Sequence, residues 1–159
     1  MCIVGYSSYR TTDRLRKSTM IFAHWATDTY TSASLGSAVK RHSSHGGLKK
    51  FHKALHMADS MVRGETVVDV ATGKFGSFGD SLLVITNERV LILKNSFQAG
   101  NSISLDLHAL GQAKLTYLPF LGTTLTIDGY RFSRIPADYT GALRTLMVAD
   151  LAGHWAQAA

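Results

Sequence analysis

Hydrophobic and polar positions form their clearest pattern in residues 81–94. Two apolar runs, Leu82–Ile85 and Val90–Leu93, flank the polar centre Thr86-Asn87-Glu88-Arg89. Branched residues favour strands and each run is too short for a buried helix, so the pattern predicts a tight hairpin. Because consecutive rather than alternate residues are apolar, we expect both faces of this hairpin to be buried.

An amphipathic helix is predicted at Leu48–Val62, where apolar residues recur at three- and four-residue spacing and Gly64 follows. A weaker helical pattern covers Thr12–Trp25. His52 and His56 lie four residues apart, a spacing that suits metal ligands on a helix. A solvated basic face explains both histidines without a metal, and we expect no metal site there.

The rest of the chain alternates with strand period and is rich in turns. Further strands are predicted at Thr66–Ala71, Ile103–Leu107, Ala113–Leu118, Thr123–Ile127 and Tyr130–Ile135. Asp128-Gly129 is a strong two-residue hairpin signal, and Thr72–Asp80 is predicted to be a flexible loop. After Pro136, a helix is expected from Ala137 to about Trp155.

This order of elements predicts an α+β, mainly β fold. We expect a small antiparallel barrel of about seven strands, with an N-terminal helix and a C-terminal capping helix. Residues 47–156 would form this domain. Residues 1–46 would be a basic, Ser/Thr-rich extension that is partly ordered or disordered, and an over-called start codon is the alternative explanation for them.

Charge is concentrated in the first third of the 159 residues. Residues 1–53 hold nine Lys/Arg and two Asp, or +7, whereas residues 54–159 hold eight Lys/Arg and nine Asp/Glu, or −1. An anionic membrane surface or nucleic acid is therefore a candidate partner for residues 1–53. The cations concerned are Arg14, Arg16, Lys17, Lys40, Arg41, Lys49, Lys50 and Lys53.

Four segments together resemble a known family. They are Arg63-Gly64-Glu65, the run LLVITNERVLIL, Ser102-Ile103-Ser104-Leu105 and Gly122-Thr123-Thr124-Leu125-Thr126-Ile127. Residues 48–148 resemble the bacterial pleckstrin-homology-like domains of the YokE-like type, and the Thr-Asn-Glu-Arg turn is the most specific of these features. The resemblance implies a scaffold for recognition of lipid, peptide or protein.

Phosphoinositide-binding relatives carry several Lys/Arg in the first strand-to-strand loop. Here that loop has Lys74 alone, with Asp80 opposing it, so the sequence does not favour headgroup binding. No Gly-x-Ser-x-Gly motif occurs, and Cys2 lies in a terminal segment with nothing local to activate it. We therefore expect a non-enzymatic module without a cofactor. A single cysteine also suits a cytoplasmic location.

A protein or peptide is the expected partner, and the oligomeric state is left open. The apolar stretch from Tyr117 to Gly122 contains Pro119, so it should be a strand end or loop. It is expected to fold back under the barrel mouth; the alternative is an outward contact patch. In the second case the binding residues would be Tyr117, Phe120, Phe75, Phe78 and Lys74.

Overall fold

The computed structural model describes residues 30–42, 47–96, 100–139, 141 and 143–144. This part of the chain holds two α-helices and seven strands, connected in several places by short 3₁₀ turns. In chain order they are α1 (Ala33–Arg41), α2 (His52–Met61), β1 (Val67–Phe75), β2 (Gly79–Thr86), β3 (Arg89–Lys94), β4 (Ser102–Asp106), β5 (Ala113–Leu118), β6 (Gly122–Ile127) and β7 (Tyr130–Ile135).

The strands form one antiparallel sheet in the order β4-β3-β2-β1-β7-β6-β5. The mainly β, antiparallel class and the strand number agree with the sequence-based expectation. The expected barrel is wrong, because β4 and β5 are the two edges and the described sheet does not close between them. β4 pairs with β3, and β5 with β6, so each edge strand keeps one side without a strand partner among the described residues.

The hairpin of β2 and β3 is the centre of the hydrophobic core. Its apolar runs pair along their whole length, from Leu82↔Leu93 to Ile85↔Val90. All eight of these side chains are at most 2% exposed, which confirms burial on both faces. α2 packs on this hairpin with Ala54, Leu55 and Ala58 buried. The predicted helix is thus present, although its first turn, Leu48–Phe51, is a 3₁₀ turn.

Side chains of the turn between β2 and β3 bond its own backbone and the start of β1. Thr86 Oγ1 accepts hydrogen bonds from the N–H groups of Glu88 and Arg89 and donates one to the Arg89 carbonyl. Asn87 Oδ1 accepts from the Thr66 N–H at 2.8 Å, and the Asn87 N–H donates to the Thr66 carbonyl. Thr86 and Asn87 therefore stabilise the turn and its contact with the residue before β1.

Arg89 connects this turn to the end of α2. Its Nη2 lies 2.5 Å from Glu65 Oε1 and its Nε lies 3.2 Å from Oε2, a two-point contact. The same Nη2 donates to the Met61 carbonyl, one of the last carbonyls of α2, at 2.8 Å. The Glu65 side chain is only 10% exposed, so this ion pair is held largely away from water.

The predicted loop Thr72–Asp80 is mostly strand, which corrects the sequence interpretation. β1 continues to Phe75, and β2 begins at Gly79, directly after a 3₁₀ turn at Gly76–Phe78. Gly73 is needed here because β7 crosses close by. A Cβ at this position would lie 2.5 Å from a ring carbon of Phe132 and 2.7 Å from the Ser133 carbonyl oxygen.

The junction between β1 and β7 joins the two halves of the sheet. Only Lys74↔Ser133 and Phe75↔Phe132 pair across it, whereas β1 and β2 pair over eight positions. β1–β4 and β5–β7 are each consecutive antiparallel meanders. The sheet is therefore two meanders that meet along one short contact.

α1 was not predicted, and it lies in the stretch assigned to the N-terminal extension. Ser32 caps it by accepting a hydrogen bond from the Leu35 N–H, and Leu35, Ala38 and Val39 are buried as the helix packs on β1. His42 follows the helix, and its Nε2 lies 2.7 Å from Asp69 Oδ1 on β1. These contacts attach residues 33–42 to the sheet.

Two other predicted helices fall wholly or largely outside the described residues. Thr12–Trp25 lies outside them entirely. After β7, Ala137–Tyr139 is a 3₁₀ turn, and Gly141, Leu143 and Arg144 are helical, whereas residues 145–155 lie outside the described part of the chain. Tyr139 and Leu143 are buried in the core. The sequence predicted a helix beginning at Ala137, where the structure has this 3₁₀ turn.

Asp59 on α2 anchors the chain just before α1. Its carboxylate accepts hydrogen bonds from the Thr31 N–H at 2.9 Å and the Ser32 N–H at 2.8 Å. Burial acts to raise the pKa of this carboxyl, but those hydrogen bonds and the nearby His56 outweigh it. The net result is a pKa below the ordinary value of 3.8.

A lowered pKa in the folded state makes Asp59 a source of acid-dependent stability. Its contribution is present above the unfolded-state pKa and is lost as the pH falls through the lower folded-state pKa. We expect Asp59→Asn to lower the free energy of unfolding at neutral pH and to reduce its fall between about pH 5 and about pH 2. Urea unfolding across that range measures both, and an unchanged pH dependence would contradict the role of this carboxylate.

Candidate functional site

The hairpin of β5 and β6 ends in a tight apolar turn. Leu118 pairs with Gly122, and the Leu121 N–H donates to the Leu118 carbonyl at 3.2 Å. Pro119 cannot adopt positive φ, whereas Phe120 has a φ of 66°. A proline at the second position and positive φ at the third define a type II turn. The hairpin tip, residues 117–121, is thus set by Pro119 and bent at Phe120.

Apolar side chains of this hairpin tip face solvent. Tyr117 is 70% exposed, Phe120 is 105% exposed and Leu121 is 57% exposed. The expectation that the stretch folds back on the core is therefore wrong, and the outward alternative is the one observed. The physical reason is the turn at the sheet edge, since no described element packs over it.

Phe120 occupies a backbone conformation that its residue type disfavours. The third position of a type II turn is normally glycine or asparagine, because the Cβ of other residues meets the backbone there. Phe120 also buries nothing that would offset this cost, since its side chain is fully exposed. A strained aromatic displayed to solvent is the kind of outlier that marks functional sites.

The other predicted partner-binding residues lie elsewhere. Phe75 and Phe78 form an aromatic cluster with Tyr130, with ring centroids 5.3 Å and 6.1 Å from Phe75. Lys74 pairs with Asp80 at 3.0 Å. This cluster lies near the first residue of β7, since Tyr130 begins that strand. The hairpin tip lies at the other end of β7, because the last residue, Ile135, pairs with Thr123, which in turn pairs with Tyr117. The structure therefore divides the predicted set between opposite ends of β7.

Of the basic residues, Arg14, Arg16 and Lys17 lie outside the described part of the chain. Lys40 and Arg41 end α1, Lys49 and Lys50 lie in the 3₁₀ turn, and Lys53 is the second residue of α2. The His42 ring packs at a tilt against Tyr139 with centroids 4.6 Å apart, and a Cβ at Gly47 would lie 3.9 Å from the Tyr139 hydroxyl. Both flanks of residues 43–46 thus meet at Tyr139. Arg41 is already engaged by the Val68 carbonyl and by Asp69.

β5 carries a further feature that the sequence analysis missed. Lys114 on β5 pairs with Thr126 on β6, which pairs with Arg131 on β7, so two exposed cations flank a threonine in one row. No ion pair of Lys114 or Arg131 occurs within the described residues. Only the register of three strands brings these residues together, so local sequence gave no signal.

A polar cleft of about 580 Å³ lies where the turn after β2 meets β4, and its lining is mixed in charge. Arg89 and Glu65 line it and already bind one another. Its other lining residues are Glu88, Ser104, Asp106 and His108.

Within the described ranges, no three or more His, Cys, Asp or Glu side chains are grouped so that they could hold a metal ion. In the same part of the chain, no helix is long and apolar enough to cross a bilayer.

Replacing Phe120 by a residue that tolerates positive φ should stabilise the fold. We expect Phe120→Asn to raise the free energy of unfolding by about 1 kcal/mol, because asparagine adopts this conformation at little cost and no burial is lost. Leu121→Asn is the matched control, since Leu121 is exposed without positive φ. It should change stability by less than about 0.5 kcal/mol.

Denaturant unfolding of both variants and the parent chain makes the comparison. A Phe120→Asn protein less stable than the parent would show that the aromatic side chain supports the fold, contrary to its exposure.

Comparison with known proteins assigns no family to this chain. Protein-family models, curated proteins and solved structures were each searched and none matches.

Proposed function

We propose that this chain is a non-enzymatic binding module of the pleckstrin-homology-like type, with an open sheet, that recognises a protein partner through the hairpin tip. Seven antiparallel strands after α2 and the Thr-Asn-Glu-Arg turn, whose side chains hold β1, β2 and α2 together, support the family assignment. Tyr139 and Leu143 are buried where a capping helix would begin. A cytoplasmic location, which the single cysteine favours, belongs to the same proposal.

The observation that carries the proposal is the exposure of consecutive apolar residues at the hairpin tip. Tyr117, Phe120 and Leu121 are each more than half exposed, and Pro119 between them is exposed as well. Isolated exposed apolar residues need no explanation, but a contiguous group on one turn is typical of a contact surface. Aromatic side chains also dominate the binding energy of protein interfaces.

Strain at Phe120 points the same way. A turn optimised for stability would have glycine or asparagine at this position, and Phe120 forgoes that stability without filling a pocket in its own domain. Binding would offset the cost, because a rigid turn already presents the ring and little side-chain freedom is lost on association.

The experiment compares the full chain with Phe120→Asn and with Tyr130→Asn, a control that removes an exposed aromatic at the other end of β7. Each protein is immobilised, proteins bound from a lysate of the source cells are identified by mass spectrometry, and the affinity of each purified candidate is measured. We expect a partner that binds the parent and Tyr130→Asn equally but binds Phe120→Asn about 30-fold more weakly.

Equal affinity of Phe120→Asn and the parent for every identified partner would contradict the proposal. Since the same substitution should stabilise the fold, weakened binding could not be attributed to unfolding.

A second candidate function is binding of an anionic surface through the basic N-terminal third. The observation in its favour is the exposure of Lys40, Lys49 and Lys50, on the flanks of residues 43–46 that both approach Tyr139. Exposed cations attract a negative membrane or a nucleic acid with little need for shape complementarity.

Vesicles with and without phosphatidylglycerol test this candidate. The double variant Lys49→Ala/Lys50→Ala should bind anionic vesicles roughly 30-fold more weakly, and added salt should weaken binding by the parent chain. Phe120→Asn is the control and should bind like the parent. Binding that is insensitive to both salt and the double variant would exclude this function.

A further inference from the structure

β5 ends the sheet with its outer main chain uncovered by any strand in the described part of the molecule. It pairs with β6 on one side, from Ala113↔Ile127 to Leu118↔Gly122. An edge strand presents a row of N–H and C=O groups that another extended chain can pair with. A segment in extended conformation is therefore the kind of ligand that can pair with this edge of β5.

The two faces of β5 differ in chemistry. Leu115 lies opposite Leu125, which lies opposite Phe132, and both of these partners are buried in the core. Because side chains alternate along a strand, Tyr117 shares this face, and it is 70% exposed. The apolar surface of the core face thus continues across the sheet to edge strand β5, where Tyr117 exposes it to solvent.

The opposite face of β5 carries one cation, Lys114, beside Thr116 and Leu118. Lys114 belongs to the row that continues through Thr126 to Arg131. Asp128 shares a cleft with Lys114, but its Oδ1 already accepts hydrogen bonds from two backbone N–H groups, those of residues 111 and 112. A chain lying beside β5 would meet apolar side chains on one face and, on the other, Lys114, which forms no ion pair with the described part of the chain.

We infer that β5 takes an extended segment of a partner protein as an eighth strand, with apolar residues facing Leu115 and Tyr117 and acidic residues facing Lys114. This inference rests on the proposed function, since it names how a partner held at the hairpin tip would continue along the sheet. Main-chain pairing supplies the attachment, and the alternation of apolar and acidic residues supplies the selectivity.

Other occupants fit this edge less well. A second copy of the chain paired through β5 would bring a second Lys114 to the same face. A bilayer could accept the hairpin tip but not the edge, because hydrocarbon cannot satisfy the unpaired main-chain groups of an open strand.

The test uses the full chain labelled with ¹⁵N and a blocked synthetic peptide of four Val-Glu repeats. We expect the amide resonances of β5 to shift on titration with the peptide. A peptide of four Val-Lys repeats should bind the parent about fivefold more weakly, and Lys114→Glu should reverse this preference. Arg63→Glu, the same charge change at an exposed site just after α2, should leave the preference unchanged.

Two N-methylated forms of the Val-Glu peptide separate main-chain pairing from side-chain docking. One carries methyl groups on every valine amide and the other on every glutamate amide, and alternate amides of a strand point to opposite edges. The form whose methylated amides face solvent should therefore bind like the unmethylated peptide, and the form whose methylated amides face β5 should lose binding. Equal binding of both forms, or no shift of β5 resonances, would overturn the inference.

Light scattering tests whether a second copy of the chain occupies β5, and vesicle binding tests whether a membrane occupies the hairpin tip. A concentration-dependent dimer with altered β5 resonances would assign the edge to a second copy. Vesicle binding that requires Phe120, without peptide binding, would assign the hairpin tip to a membrane. Either result would overturn the inference.

Failure of this inference is distinguishable from failure of the proposed function. If Phe120→Asn weakens binding of the identified partner and Lys114→Glu does not, the hairpin tip binds the partner and β5 does not. If Phe120→Asn leaves that binding unchanged, the proposed function itself fails.

Discussion

The two-point contact between Glu65 and Arg89 fixes how the helical layer meets the sheet. Arg89 begins β3, and its guanidinium reaches both a carboxylate just before β1 and the Met61 carbonyl at the end of α2. The end of α2 and the chain entering β1, which are adjacent in sequence, are therefore held to the start of β3 at one point. Removal of Arg89 would leave the Glu65 carboxylate, which is 10% exposed, without its ion-pair partner, and this is more costly than the net stability the pair contributes.

The neighbouring turn residues show why such a contact can be accommodated. Thr86 and Asn87 satisfy the backbone of the turn and of the incoming strand, so Arg89 is presented in a fixed direction. Glu88 is the member of the turn whose side chain is exposed rather than used in these contacts. Most of the sequence motif that suggested a family is thus explained by structure, and it says little about the partner.

Local patterns predicted the elements that local chemistry determines. The central hairpin has both an apolar core and a polar turn within 14 residues, 81–94, and Asp128-Gly129 has the positive φ values that its turn requires. α1 was missed because its Ser-rich sequence forms a helix chiefly through burial against β1. The predicted loop before β2 was wrong for a related reason, since Gly73, the first of its three glycines, leaves room for β7 and does not indicate flexibility.

Candidate site residues were predictable by type but not by placement. Sequence identified Tyr117 and Phe120 as possible contact residues, yet whether they were covered depended on what else packs at that edge. The row from Lys114 to Arg131 required the register of three strands. Phe120 disagrees with the residue preference of its own turn, and such local conflicts are expected where function competes with stability.

The two-pair contact between β1 and β7 also bears on how the molecule moves. One half of the sheet carries the central hairpin and contacts with both helices, whereas the other half is a three-stranded meander held to it by a short seam. Cooperative opening units in proteins often coincide with such supersecondary motifs and separate where few contacts cross. We therefore expect the meander that displays the hairpin tip to open before the central hairpin does, at the cost of exposing Leu125, Ile127 and Phe132, which it contributes to the common core.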